Sequence, residues 1–505
     1  MKKKLLWSSI TGTFQVILNT VLIFIVIPVF ISTLGLHSYS IFSLLLLFNN
    51  LNVFMNLGLN TSLIKYVAEQ GRSQQSNYDI AVSFSLLFIV LIPISTAAIF
   101  FTEFFLSNVF NISQVYITSG TTLLFNAIII SNCFLLLGQI FSAVLDAQQK
   151  VYLNNAALIL YNFLYWGLIL LSLLKFPGFT AISISILTAT IVWFVVVYIL
   201  FKKTWGSFKL RGVRKNFLIT AKKQLSYGVK LYLSGSISFF HEPLTKLLIS
   251  HFVGLTEVAF FDIAIRLKNQ LWNLTSRVFY PLFPFISQLS DKEKIRKLIH
   301  TVEQKTAFLI IPIVCIVIYV SKPFVEIWIG NDVEVISVSM ISITVAYLLA
   351  VIVVPVYQYL MAKGYPGKTI IIQILNVIVN TCLFFLTLPW IGYNAAVISS
   401  VGSILSSFTL TLYYQKKYLN SLILDNFKQL WKSFLILSIN ILIGLALSEI
   451  IEKDILKIII IPLVLITVSV YMFRVLKIFS REEINKFAVS ESTLLKVADK
   501  IFVKK

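Results

Sequence analysis

Charge is scarce in this chain. Asp, Glu, Lys and Arg make up 12% of its 505 residues, where ordinary soluble domains carry roughly 25%. Acids are scarcer still, 21 against 42 Lys and Arg, for a formal net charge of +21. Such an excess could suit nucleic acid. Here, however, the cations sit in short clusters between apolar runs, the pattern of inward-facing membrane loops, and no nucleic-acid partner is expected. Cysteine is nearly missing: Cys133, Cys315 and Cys382 each lie inside an apolar run. There a thiol acts as a small hydrophobe, so neither a disulfide framework nor a metal site is implied. Four His offer no ligand cluster. The Gly-x-x-x-x-Gly-Lys-Ser/Thr pattern is absent, which excludes the phosphate-cradling loop of an ATP-driven pump. No cofactor is expected.

What the chain has instead is apolar length. At 58% hydrophobic residues it could not hide its surface in one soluble core, so the expected class is an all-α polytopic membrane protein. About fourteen apolar spans are long enough to cross a bilayer as helices. They include 8–32, 40–63, 180–201, 228–252, 257–285, 306–328, 334–361, 431–450 and 455–474. MKKKLLW leads into a long first span without a short apolar region and a cleavage site, so it reads as an uncleaved helix. An even number of spans puts both termini on one side. On that side fall 32 Lys and Arg, and on the other only Lys175, Lys322, Lys453 and Lys457. Both termini are therefore expected in the cytoplasm.

The largest loop, FKKTWGSFKLRGVRKNFLITAKKQ (201–224), divides the spans. LGLHSYSIFSLLLLFNNLNVF (34–54) aligns without gaps on VGLTEVAFFDIAIRLKNQLWN (253–273), sharing four residues, and each stretch joins an odd span to the next even one. That echo fits two six-helix lobes around a central cavity, as in several transporter folds. The expected organisation is an N-terminal lobe (1–201), a cytoplasmic linker (202–227), a C-terminal lobe (228–415), two further spans (416–475) and a basic cytoplasmic tail (476–505).

Three spans carry polar side chains on one face. At about 100° per residue, and with Arg266 as zero, Asp262, Asn269, Gln270, Asn273, Arg277 and Tyr280 all fall inside an arc of roughly 100°, while Lys268 points away. Each charge at mid-bilayer costs on the order of 3 kcal/mol, so the stripe must face other helices or water. In LLFNNLNVFMNLGLN, Asn49, Asn52, Asn56 and Asn60 fall within about 80° of one another. The seventh span adds Ser234, Ser238, His241, Glu242 and Thr245, with Glu242 and Lys246 spaced i,i+4. Gln15, Asn19, Asn126, Asn132, Gln373, Asn376 and Asn380 contribute less. Two readings stand side by side. The amides are either interhelical glue or the wall of a wet cavity. Asp262–Arg266 and Glu242–Lys246 are either self-neutralising pairs or functional groups, and Arg277 either snorkels or binds. Arg suits bidentate contact with phosphate oxygens, and amides exchange hydrogen bonds with sugars. A phosphate-bearing glycan therefore fits such a cavity, whereas a hydrophobic cation would be repelled.

Three stretches carry a resemblance: TLGLHSYSIFSLLLLFNNLNVFMNLGLNTSLIKYVAE (33–69), VGLTEVAFFDIAIRLKNQLWNLTSRVFYPLFPFISQLS (253–290) and KGYPGKTIIIQILNVIVNTCLFFLTLPWIGYNAAVIS (363–399). Together they resemble the Wzx-type polysaccharide flippases of bacteria. Those belong to the multidrug/oligosaccharidyl-lipid/polysaccharide exporter superfamily, which also holds multidrug exporters and lipid II flippases. The resemblance implies two six-helix lobes with a V-shaped cavity and extra C-terminal helices in the bacterial cytoplasmic (inner) membrane. It also implies alternating-access transfer of undecaprenyl-diphosphate-linked oligosaccharide for surface polysaccharide, such as O-antigen of lipopolysaccharide. On that basis Arg266 is expected to hold the diphosphate, with Arg277 and Lys65 at the cytoplasmic entrance. Asn49, Asn52, Asn56, Asn269, Gln270 and Asn273 would border the glycan, and Glu242 or Asp262 would titrate if an ion gradient drives transport. The partners implied are the lipid-linked oligosaccharide, membrane lipids and other glycan-assembly membrane proteins. The first two spans carry asparagines and no arginine before Lys65, which departs from lipid II flippases. A multidrug or metabolite exporter on the same fold is the alternative. A glycan polymerase fits less well, because the external acids Glu103, Glu257, Asp332 and Glu334 form no pair, and the chain is expected not to be an enzyme.

Overall fold

The computed structural model describes residues 2–50, 56, 58–206, 217–236, 240–279, 282–330, 332–420 and 427–478. Helix dominates them, and eleven helices are long and apolar enough to cross a membrane. One of these, Ile10–Asn49, holds the first expected span and the start of the second. The described residues of the seventh and eighth spans are largely helical, but neither span is among the eleven; the eighth carries Asp262, Arg266 and Lys268 within one bilayer length. The chain is a multi-pass, all-α membrane protein.

Two compact units divide at Ala259/Phe260. Unit 1 contains α1 (Lys2–Leu45), α2 (Leu47–Asn50), α3 (Leu59–Gln70), α4 (Gln74–Phe100), α5 (Ser119–Ala147), α6 (Val151–Lys175), α7 (Phe179–Thr204), α8 (Phe217–Ser236) and α9 (His241–Phe252). In α1, Gly35 adopts φ 81°, ψ 165°, and the helix bends there; a residue with a Cβ is strained at that φ. Helix α5 is the hub of this unit. Its Leu136, Ile140, Phe141 and Val144 meet Leu59, Leu63 and Val67 of α3 and Trp193, Val197 and Phe201 of α7. Gly138 lets the α7 indole approach so closely that a Cβ would overlap the Trp193 ring. Helices α4 and α5 start at Ser73 and Thr118, whose hydroxyls accept the Ser76 and Thr121 backbone N–H groups.

The helix α10 (Leu255–Phe279) begins in unit 1 and runs into unit 2. Unit 2 continues with α11 (Leu282–Gln288), α12 (Lys292–Trp328), α13 (Val333–Val351), α14 (Val354–Ala362), α15 (Pro366–Ile391), α16 (Asn394–Leu419), α17 (Phe427–Ile450) and α18 (Asp454–Val475). Helix α12 starts well before the expected span at 306. Asp291 caps it by accepting from the Glu293 and Lys294 backbone N–H groups. Ile295 and Ile299, spaced i,i+4, bury one face of the charged extension. The last two helices pack on α12: Phe308 and Ile311 meet Ile436 and Phe473, and Cys315 meets Ile461 and Leu465. A Cβ at Gly444 would overlap the Tyr319 ring, so α17 can approach α12 only with glycine there. The outward faces stay apolar, with Phe100, Trp390 and Ile450 each more than three-quarters exposed. In a bilayer such residues meet acyl chains.

Candidate functional site: two polar stripes

In unit 1 the asparagine stripe packs against a neighbouring helix. Asn56 is buried and donates from Nδ2 to Gln139 Oε1 of α5 at 2.9 Å. Asn60 donates to the same oxygen at 2.7 Å, and its backbone N–H reaches Asn56 Oδ1 at 3.2 Å. Gln139 is therefore the residue the sequence reading missed; its signal is a lone amide in the apolar run LLLGQIFSAV. Asn49 is half-buried, and Asn52 lies outside the described residues. Lys65 is partly exposed, with Nζ 3.9 Å from Glu69 Oε1 and 5.5 Å from the centre of the Tyr66 ring. Lys223 of α8 stands 3.8 Å over that same ring, close enough for a cation–π contact.

Helix α9 contributes an ion pair to unit 1. Lys246 is buried, with its Nζ 3.4 Å from Glu242 Oε1, and it also donates to Ser43 Oγ of α1 at 3.4 Å. A buried ammonium is tolerated only with partners of this kind. Thr245 bonds its own helix at the His241 carbonyl, while Ser234 and Ser238 lie outside the described side chains.

The charged stripe on α10 is built differently. Residues 258–265 are buried throughout, Asp262 included. Arg266 reaches back one turn and donates from Nε at 3.1 Å and from Nη2 at 2.8 Å to Asp262 Oδ2. The spacing i,i+4 is what lets a guanidinium fold onto a carboxylate of its own helix. Exposure then rises along the stripe: Arg266, Asn269 and Gln270 are half-buried, and Asn273 is exposed. Thr275 and Tyr347 of α13 join hydroxyls at 2.5 Å. The side chain of Arg277 and all of Tyr280 lie outside the described residues. The arrangement joins an arginine held in a fixed pose to a run of amides that becomes progressively more accessible.

The lesser amides tie helices within each unit. Asn19 accepts from Trp166 Nε1 at 3.0 Å and Asn126 from Thr102 Oγ1 at 2.7 Å. Asn376 donates to the Ser403 carbonyl oxygen and to Ser407 Oγ.

Residues 34–338 match the family model described as polysaccharide biosynthesis protein. Among solved structures, the chain is similar to the lipid II flippase MurJ in its inward closed conformation, with a TM-score of 0.72 at 15% identity, over 92% of this chain and 97% of that one. It is also similar to an inward-facing multidrug resistance MATE family transporter of the MOP superfamily, with a TM-score of 0.60 at 12% identity, over 80% and 94% of the two chains. A MATE transporter of Vibrio cholerae gives 0.57 at 15% identity, over 83% and 97%. At such identities the likeness establishes a shared fold. No curated protein sequence matches the chain.

Proposed function

Because the chain belongs to the family of polysaccharide biosynthesis proteins, we propose that it is a flippase for an undecaprenyl-diphosphate-linked oligosaccharide repeat unit. It moves the headgroup from the cytoplasmic to the outer leaflet of the bacterial cytoplasmic membrane by alternating access of two six-helix lobes, and it makes or breaks no covalent bond. The family match over more than half of the chain carries this reading. The fold supports it, being shared with a protein described as a lipid II flippase.

Arg266 meets the diphosphate, exchanging part of its hold on Asp262 for phosphate oxygens, a match of fork to tetrahedron that lysine would not reproduce. The exposed end of the stripe at Asn273 admits the headgroup, and Asn269 and Gln270 border the glycan together with Asn49 and Asn52, whereas Asn56, buried against Gln139, is left to packing. Lys65 and Arg277 gather the anion on the cytoplasmic side, where both termini lie. Coupling to an ion gradient falls to Glu242 or Asp262. Sugars meet amides, and the prenyl chain stays in lipid.

Arg266→Ala alone would take two charged hydrogen bonds from the buried Asp262, so the test pairs it with Asp262→Asn/Arg266→Ala, which removes both charges together. Each variant is compared with the wild type for membrane abundance and for surface glycan on cells. Normal abundance with surface glycan lost in the double variant supports the assignment, and full glycan would remove Arg266 from it. Protection against cationic drugs with glycan intact on deletion would favour an exporter.

A further inference from the structure

Glu303 of α12 is fully buried, and so is Gln415 of α16. Gln415 Nε2 donates to Glu303 Oε2 at 2.8 Å, and His300 Nδ1 stands 4.0 Å from that same oxygen. The other oxygen of each side chain, Glu303 Oε1 and Gln415 Oε1, is buried without a hydrogen-bond partner. Buried polar atoms are rarely left so, and here two acceptors lack donors on side chains that already share a bond. A carboxylic acid facing a primary amide closes a ring of two hydrogen bonds. The amide N–H donates to one carboxyl oxygen, and the O–H on the other donates to the amide oxygen. One proton on Glu303 Oε1 would satisfy both atoms. Exchanging the amide O and N swaps the roles and leaves the count unchanged.

A metal cation fits less well. Hard cations take about six or more oxygen ligands. One turn away on each helix stand Ile299 and Leu419, members of an apolar cluster that also holds Ile295 and Tyr414. Among the described residues of α12, α14, α15 and α16, Glu303 is the one Asp, Glu, Lys or Arg that is buried. On α12 itself there is His300, preceded by the partly exposed Arg296, which donates to Glu293, and the exposed Lys297; Lys305 donates to the Ile478 carbonyl oxygen beyond α18. On α16 there are Tyr414 and Tyr418 and on α14 Tyr357 and Tyr359, all in the same cluster; Lys416 and Lys417 of α16 are exposed, and Lys368 of α15 stands 5.8 Å from the centre of the Tyr414 ring. Past the end of α14, Lys363 donates to the Leu289 carbonyl oxygen after α11. On the α17 side, Lys432 donates to the Leu476 carbonyl oxygen.

We propose that Glu303 is a proton-binding site, its protonated carboxyl closed in a two-bond ring with the Gln415 carboxamide so that one proton ties α12 to α16 within unit 2. Losing the proton sets a carboxylate oxygen against an amide oxygen in an apolar surround, and the tie opens. His300 lies one turn toward the exposed start of α12 at Lys292, Glu293 and Lys294, and it is the group through which the proton reaches water. This site is distinct from Glu242 and Asp262 and does not depend on what the protein carries.

The test uses the purified full chain. An infrared difference spectrum at neutral pH, wild type minus Glu303→Gln, should show the carbonyl band of a protonated carboxylic acid, absent from the variant. Loss of a carboxylate band instead would overturn the proposal. Gln415→Leu keeps Glu303 and should shift that carbonyl band to higher frequency, so the proposal stays testable where Glu303→Gln does not fold. An unshifted band overturns it. Unfolding temperature gives an independent readout. The folded chain holds a proton that the unfolded chain releases, so stability should fall as pH rises from about 5 to about 9. Glu303→Gln, whose ring of two amides needs no proton, should lose that part of the fall. Equal falls in the two proteins would overturn the site.

Discussion

The asparagine stripe of unit 1 and the charged stripe of α10 look alike on a helical wheel, yet they resolve their polarity in opposite ways. Asn56 and Asn60 reach across to Gln139 on α5, so their hydrogen bonds hold two helices together. Arg266 and Asp262 turn to each other along one helix. Neutral amides solve burial by sharing a neighbour's oxygen. A charge in the same position needs an opposite charge, and the nearest source is its own next turn. The first device adds packing specificity. The second leaves a neutralised guanidinium fixed in place, ready to exchange partners with an incoming anion under the proposed function.

The contrast can be broken at its strongest point first. Asp262→Ala removes a buried carboxylate that two guanidinium N–H bonds reach. It should cost ~3–5 kcal/mol, read as a large drop in unfolding temperature of the detergent-purified chain, with Asp262→Asn falling between it and the wild type. If it unfolds no sooner than an exposed-pair variant, the two stripes do not differ as described. Gln139→Ala should cost ~1–3 kcal/mol, because it leaves two amide donors short of an acceptor. A cycle with Asn56→Ala should show strong non-additivity in the same melting measurement. Lys65→Ala breaks the exposed contact to Glu69, in which the two side chains are 38% and 58% exposed, and should change stability by about 0–1 kcal/mol. Asn273→Ala, at the exposed end of the α10 stripe, should leave stability within about 0.5 kcal/mol. It should still lower surface glycan if that end admits the headgroup.

The helical wheel placed Asp262 and Arg266 together because their i,i+4 spacing is local, and the structure shows that pair. It could not show whether Asn56 faced water or a helix, because the answer lies on Gln139, 83 residues away in the chain. Nor could it mark Glu303, which the sequence puts in a charged connecting segment. Only the continuation of α12 from Asp291, with Ile295 and Ile299 turned inward, carries Glu303 out of solvent and against Gln415 of α16.

Composition and cation placement by themselves determined that this is an all-helical, multi-pass membrane chain, because an apolar run of bilayer length has no other way to satisfy its backbone in lipid. Which polar side chains are consumed in packing and which stay reachable was decided by the tertiary structure. A hydrogen bond between helices depends on a partner distant in sequence, and no periodicity along a single helix records that partner.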